Sequence, residues 1–185
     1  IERNGLKELY SFTLGQGMNL STFRAGENRI ASIYSDSGAS RAFVLGTGEE
    51  IAIPGLTGNI DACNADLTRF VVSEIPAEGK GENPARLIDR EGNTLAGGYT
   101  SLYEQYGTLI GYRYNSRLGI GANYILDWDG NILLGAEYSR LEILPGNAAL
   151  AIRGDLMGIT DFAGNWLYSE SVFEMTESSA AAVSS

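Results

Sequence analysis

Carboxylates are the side chains of this sequence best placed to do catalysis. Its 185 residues include no histidine, which removes Ser-His-Asp and Cys-His arrangements, imidazole metal ligands and the commonest general base. Cys63 stands alone, so an intramolecular disulfide and a thiolate metal cluster are excluded too. What is left is the paired-carboxylate chemistry of glycoside hydrolysis, with Asp89, Asp127, Asp161, Glu104 and Glu137 as candidates. Three of these aspartates open the same string, Asp-x-x-Gly-Asn, and a residue that recurs in triplicate is better explained by geometry than by catalysis. A type I turn starting at Asp, whose carboxylate receives backbone N–H groups, followed by Gly in the left-handed region, makes a hairpin with a bulge. Asp89, Gly92, Asp127, Gly130, Asp161 and Gly164 are therefore read as structural turns, and the chain as a non-enzyme without catalytic residues.

Calcium is the chemical rival for these turns. Asp127-Trp-Asp129-Gly-Asn131 matches the opening of an EF-hand loop. The sixth position, which requires Gly, is Ile132, the twelfth is Tyr138 rather than Glu, and the sister strings lack a second Asp. No metal site is expected. No cofactor is expected either: neither a GxGxxG nor a GxxxxGK[ST] phosphate loop occurs, and Gly119-Ile-Gly121 precedes no helix.

Aromatic residues supply the remaining candidate site. Seven of the ten tyrosines fall between Tyr99 and Tyr138, with Trp128 among them. Such residues offer large contact area at low entropic cost, and Tyr103, Tyr106, Tyr112, Tyr114 and Trp128 form a candidate platform for a sugar ring or a peptide. The competing reading is sheet packing, since tyrosine favours strands and cross-strand aromatic pairs stabilise them.

These residues must be carried by strands. Twenty-four glycines, four prolines and many short β-branched or aromatic runs predict strands joined by tight turns, and no stretch holds a helical period over three turns. Three segments align: Arg86-LIDREGNTL-Ala96, Tyr124-ILDWDGNIL-Leu134 and Gly158-ITDFAGNWL-Tyr168, their glycines 38 and 34 residues apart. Ala42-FVLGTGEEI-Ala52 is a fainter copy, with Gly48 lying 44 residues before Gly92 and Leu45 in place of Asp. Tyr99-Thr-Ser-Leu102 and Tyr138-Ser-Arg-Leu141 add a second recurring element, expected to fill the core between units. Each unit is expected to carry about four strands, the third being TLIGYRY, NYILDWD, NILLG and SRLEIL. The fold class that follows is all-β: about four antiparallel β-hairpin repeat units, as a propeller-like array or an open stack.

This pattern resembles the WG (KWG) repeat family of bacterial β-repeat proteins, in a degenerate form spanning about residues 40–175. The family's Trp-Gly-x-Ile-Asp-x-x-Gly is matched by Met157-Gly-Ile-Thr-Asp161-Phe-Ala-Gly164, and its Tyr-x-x-Ile by Tyr138-Ser-Arg-Leu141. The signature Trp is replaced by Met157, Asn123 and Ala85. The resemblance implies a β-repeat module that carries no catalytic residues.

Charge narrows the partners. Lys+Arg 13 against Asp+Glu 23 gives a net charge of −10, which repels a phosphate backbone and argues against nucleic acid. No apolar run is long enough to span a bilayer as a helix. The expected organisation is a single β-repeat domain over 1–176, a fragment of a larger protein, with a disordered tail or linker at 177–185. The expected function is a non-catalytic binding or scaffolding module with a protein or glycan partner. A carbohydrate-binding or carbohydrate-active domain using the Tyr-rich third unit and a purely structural spacer are the alternatives. Low lysine content, an N-terminus without Met and the family's habits point to an extracellular or cell-envelope location, with the cytoplasm left open.

Overall fold

The computed structural model describes residues 2–3, 6–7, 17–35, 40–74, 84–115 and 118–172. The tail expected at 177–185 lies outside them. The described elements are β-strands: β1 (Glu2–Arg3), β2 (Leu6–Lys7), β3 (Met18–Ala25), β4 (Asn28–Ser35), β5 (Ser40–Val44), β6 (Glu50–Ile51), β7 (Asn59–Cys63), β8 (Arg69–Ser73), β9 (Ala85–Asp89), β10 (Thr94–Tyr99), β11 (Ser101–Gln105), β12 (Thr108–Asn115), β13 (Ile120–Leu126), β14 (Ile132–Leu134), β15 (Arg140–Leu144), β16 (Ala148–Arg153), β17 (Leu156–Asp161) and β18 (Trp166–Ser171). Apart from the small β1–β2 pair, they form four antiparallel sheets of four strands. Each is a meander in which sequential strands are spatial neighbours: β3–β6, β7–β10, β11–β14 and β15–β18. The fold is therefore all-β and repeat-like.

The strands form where turn chemistry interrupts alternating apolar residues. Between β11 and β12, Tyr106 and Gly107 have φ of +51° and +81°, and Gln105 pairs with Thr108. Two successive left-handed residues give a type I′ hairpin, whose twist matches that of the flanking strands. Between β13 and β14, and between β17 and β18, the Asp-x-x-Gly-Asn strings close the hairpins and the register shifts by one residue.

One boundary differs from expectation. SRLEIL, expected in the third unit, is β15 and opens the fourth sheet. The segment before it is a junction rather than a hairpin: the N–H of Tyr138 donates to the Gly135 carbonyl in a turn that takes the chain off the third sheet. The third sheet begins instead with β11, SLYEQ.

The chain divides into two compact units, Ile1–Gly97 and Gly98–Ser185. In the first, Ile30, Ala42, Val44, Ile51, Ile60, Cys63, Phe70, Val72 and Ile88 make one apolar cluster between sheets. In the second, Ile110, Ile125 and Leu134 of the third sheet pack with Leu141, Ile143, Ala149 and Ala151 of the fourth, together with Tyr138. The period of two along each strand sets this arrangement. Alternate residues of β12 and β13 face the neighbouring sheet, while Leu109 and Leu126 face the other way and are also fully buried.

Candidate functional site

The three Asp-x-x-Gly-Asn turns share one geometry. Asp161 Oδ1 accepts from the backbone N–H groups of Ala163 and Asn165, both at 2.9 Å, and Oδ2 accepts from Asn165 Nδ2 at 2.9 Å. Asp127 repeats this with the N–H groups of Asp129 and Asn131 and with Asn131 Nδ2, each at 2.9 Å. Asp89 accepts from Asn93 N–H at 2.7 Å and Asn93 Nδ2 at 2.9 Å. Gly92, Gly130 and Gly164 have φ of +86°, +87° and +84°. Hydrogen bonds from the Asn93 and Asn165 side chains, reinforced by backbone N–H donors, hold the Asp89 and Asp161 carboxyls below the ordinary carboxylate range. Each carboxylate is thus engaged by its own turn.

The fainter copy also turns on a left-handed glycine, Gly48 at φ +77°, but its loop is one residue longer, with Val44 N–H donating to the Glu49 carbonyl at 2.8 Å. A related turn escapes the sequence pattern altogether. Between β7 and β8, Asn64 Oδ1 accepts from the N–H groups of Thr68 and Arg69, both at 2.9 Å, and the left-handed position is Leu67 at φ +56°. With Asn for Asp and Leu for Gly, no string match could have found it.

Several other polar side chains are engaged locally as well. Glu104 accepts from Gly107 N–H at 2.6 Å and braces the β11–β12 turn. In the first unit, buried Ser32 donates to Asn59 Oδ1 at 2.9 Å, Asn59 Nδ2 donates to Asp61 at 2.6 Å, and Ser73 donates to the other Asp61 oxygen. This polar chain spans the register shift between Ile60 and Ala62. Cys63 is buried, and desolvation pushes its thiol up to about 12, which disfavours the reactive thiolate. Among the described residues no three His, Cys, Asp or Glu side chains gather closely enough to hold a metal ion.

The platform residues separate into two groups. Tyr106 lies in the β11–β12 turn, and Trp128 joins it by donating Nε1–H to the Gly107 carbonyl at 2.9 Å. Tyr112 and Tyr114 lie toward the other end of β12 and stack, with ring centroids 6.4 Å apart at 20°. Tyr114 lies six positions beyond Thr108, which at the rise of an extended strand is about 20 Å. Tyr103, half exposed, pairs with Ile110 between the two ends.

Around Tyr114 the surface is concave. A groove of about 690 Å³ is lined by Arg113, Tyr114, Leu118, Ile120 and Tyr124, along with small residues that keep it open. Leu118 and Ile120 are 67% and 62% exposed, high values for side chains that gain by leaving water. Gly121 belongs to its wall for a steric reason: a Cβ there would collide with the Tyr112 hydroxyl. In the Gly-Ile-Gly string, Gly121 is thus a packing position, while Gly119 holds a left-handed turn at φ +65°.

Beneath the groove lies a feature not foreseen from the sequence. The Arg113 guanidinium sits 4.2 Å from the Tyr99 ring centroid and 5.0 Å from that of Tyr124, and the two rings meet edge-on at 6.1 Å. Arg153 does the same in the fourth sheet, 5.3 Å from Tyr138 and 5.5 Å from Trp166, whose rings also meet edge-on at 6.3 Å. Tyr99 and Tyr138 open the two Tyr-x-x-Leu strings, and all four anchors are buried: Tyr99, Leu102, Tyr138 and Leu141. The available signal was the near-constant spacing of Tyr to Arg, in GYRY and AIRG.

No known protein family and no curated protein matches this chain. Among solved structures, a crystal structure of a eukaryotic initiation factor is similar at a TM-score of 0.39 and 12% identity. That likeness covers 84% of this chain, which spans 55% of the length of the other.

Proposed function

We propose that the chain is a non-catalytic binding module of an extracellular or cell-envelope protein, built from degenerate WG-like β-repeats. Its ligand surface is the groove at the end of the third sheet. The carrying observation is the lining of that groove: Tyr114, Leu118 and Ile120 present exposed apolar surface around the half-buried Arg113, and no carboxylate is among its lining residues within the described part of the chain. Glycoside hydrolysis needs two carboxyls flanking one bond. Apolar and aromatic contact beside the Arg113 guanidinium instead suits a short protein segment with an apolar anchor and an acidic neighbour.

The sugar-binding alternative rests on a separate observation, the stacked Tyr112–Tyr114 pair at the groove margin, because flat aromatic faces also receive sugar rings.

Selection of peptides from a displayed random library, run beside a glycan array, tests the reading. Selected peptides are expected to lose at least about tenfold in affinity for the Leu118→Asp/Ile120→Asp variant and to bind Tyr106→Ala unchanged. Glycan hits abolished by Tyr114→Ala, with no peptide selected, would transfer the site to the sugar reading. Ligands insensitive to all these variants would overturn both.

A further inference from the structure

We propose that the β3–β4 hairpin end of the first sheet holds an oxyanion site, where Arg24 and Arg29 take the phosphate or sulfate group of a small hydroxylated ester. The site lies within the first unit and is independent of the groove. Arg24 of β3 and Arg29 of β4 are direct cross-strand partners. Gly26, at φ +58°, and Glu27 make the two-residue turn between the strands. Ala25 and Asn28 are then the hydrogen-bonded pair that closes the hairpin, and Arg24 and Arg29 the non-hydrogen-bonded pair that follows. The Arg29 carbonyl accordingly faces β5, where it accepts from Leu45 N–H at 2.8 Å. Side chains approach most closely in such a pair, whose Cα atoms are about 4.5 Å apart, and like charges directly opposite destabilise a sheet.

In a chain with 23 acidic residues this repulsion stands unrelieved. Arg41 lies opposite Ile33 and so shares the face of Arg29, and it is neutralised: its Nε and Nη2 donate to the two Glu50 oxygens, both at 2.8 Å. Arg24 and Arg29 are exposed, and among the described residues no ion pair joins either to a carboxylate, although Glu27 stands in the turn between them. Arg29 lines a cavity of about 390 Å³ together with Glu27, Val44, Leu45, Gly46 and Thr47. Two guanidinium forks offer more donors than the two oxygens of a carboxylate can use, and suit the three free oxygens of a phosphate or sulfate ester. Thr47 adds a further donor, because its Oγ1 accepts from Glu49 N–H at 3.2 Å and its O–H remains to donate. The cavity is larger than a bare ion fills, and Val44 and Leu45 give it an apolar wall. The Glu27 carboxylate can only accept, which fits hydroxyl groups on the body of the ligand.

Amide chemical shifts of the full chain, titrated with glucose 6-phosphate, glucose 6-sulfate, inorganic phosphate and acetate, test the site. Holding ionic strength at about 0.15 M with chloride screens the net charge of −10 beyond about 8 Å. Saturable shifts at Arg29, Gly46 and Thr47 are expected with at least one ester, half-complete at about 1 mM or below, and inorganic phosphate should bind roughly tenfold more weakly. The tighter ester names the source of the oxyanion. Arg24→Gln and Arg29→Gln should each weaken that binding at least about fivefold, and Arg41→Gln should leave it unchanged. A second readout is thermal: without ester, Arg24→Gln should melt no lower than the native chain, since a like-charge contact is relieved, and it should lose the rise in melting temperature that the ester gives the native chain. Shifts that fail to saturate with either ester would overturn the proposal. Inorganic phosphate or acetate binding as tightly as the esters would mean an adventitious ion only, and equal weakening in Arg41→Gln would mean diffuse charge rather than a site.

Discussion

Arg113 lies over the ring of Tyr99 at 4.2 Å, and Gly111 makes room for that ring: a Cβ at 111 would stand 2.5 Å from Tyr99 Cδ1. A half-buried cation set against two aromatic rings is a stronger contact than the same pair at a fully exposed site. Removing the charge while keeping the aliphatic stem, as in Arg113→Met, should cost about 1–2 kcal/mol in urea unfolding. A double-mutant cycle with Tyr124→Leu should show coupling, and strict additivity would mean that the arrangement contributes only packing.

The turn glycines should differ among themselves. Gly92→Val and Gly164→Val both force a β-branched residue to positive φ, at roughly 1–3 kcal/mol. At Gly92 the added Cβ would also stand 2.7 Å from the Pro54 carbonyl oxygen, whereas at Gly164 the nearest atom is the Tyr138 hydroxyl at 3.4 Å. Gly92→Val should therefore be the more damaging. Thermal unfolding compares the two directly: equal losses would contradict the added clash at Gly92, and no loss at either site would contradict the left-handed assignment.

Leu141 is 4% exposed within the cluster shared by the third and fourth sheets. Leu141→Ala should destabilise the second unit by about 2–5 kcal/mol, the range for truncating a buried leucine. Denaturant titration followed by Trp fluorescence reports on it through Trp166, which packs against that cluster. A change below about 0.5 kcal/mol would contradict the core placement.

These cases also show what a sequence can carry. The Asp-x-x-Gly-Asn turn is legible because its determinants lie within five residues: a carboxylate, a left-handed glycine and an amide that returns to the carboxylate. The Asn64 turn hides because Leu67 takes the left-handed position without announcing it. The boundary between sheets was misplaced at SRLEIL because a junction and a hairpin both read as apolar run, turn, apolar run. They differ only in whether the next strand pairs, which is a long-range property. The spread of Tyr106 and Tyr114 toward opposite ends of the third sheet was hidden for the same reason. Closeness in sequence says nothing of which end of a strand a residue occupies.

Acid should weaken the turns. Hydrogen bonds hold the folded-state pKa of Asp89 and Asp161 below the unfolded carboxylate value. Their contribution is present above the unfolded pKa, near 4, and is lost as pH falls through the lower folded value. The melting temperature should be steady near neutrality and fall below about pH 4, with a shallower fall in Asp161→Asn. An acid dependence identical in the variant would show that this carboxylate is not held by its turn.

The groove is the centre of the functional reading, and residue-level mapping of a bound ligand tests it most directly. A peptide selected on the protein, titrated while amide chemical shifts are followed, should perturb Arg113, Tyr114, Leu118 and Ile120 first and most, leaving the amides of the β17–β18 turn around Asp161 in place. Perturbations gathered on that turn or in the first unit, with the four groove residues unmoved, would contradict the account.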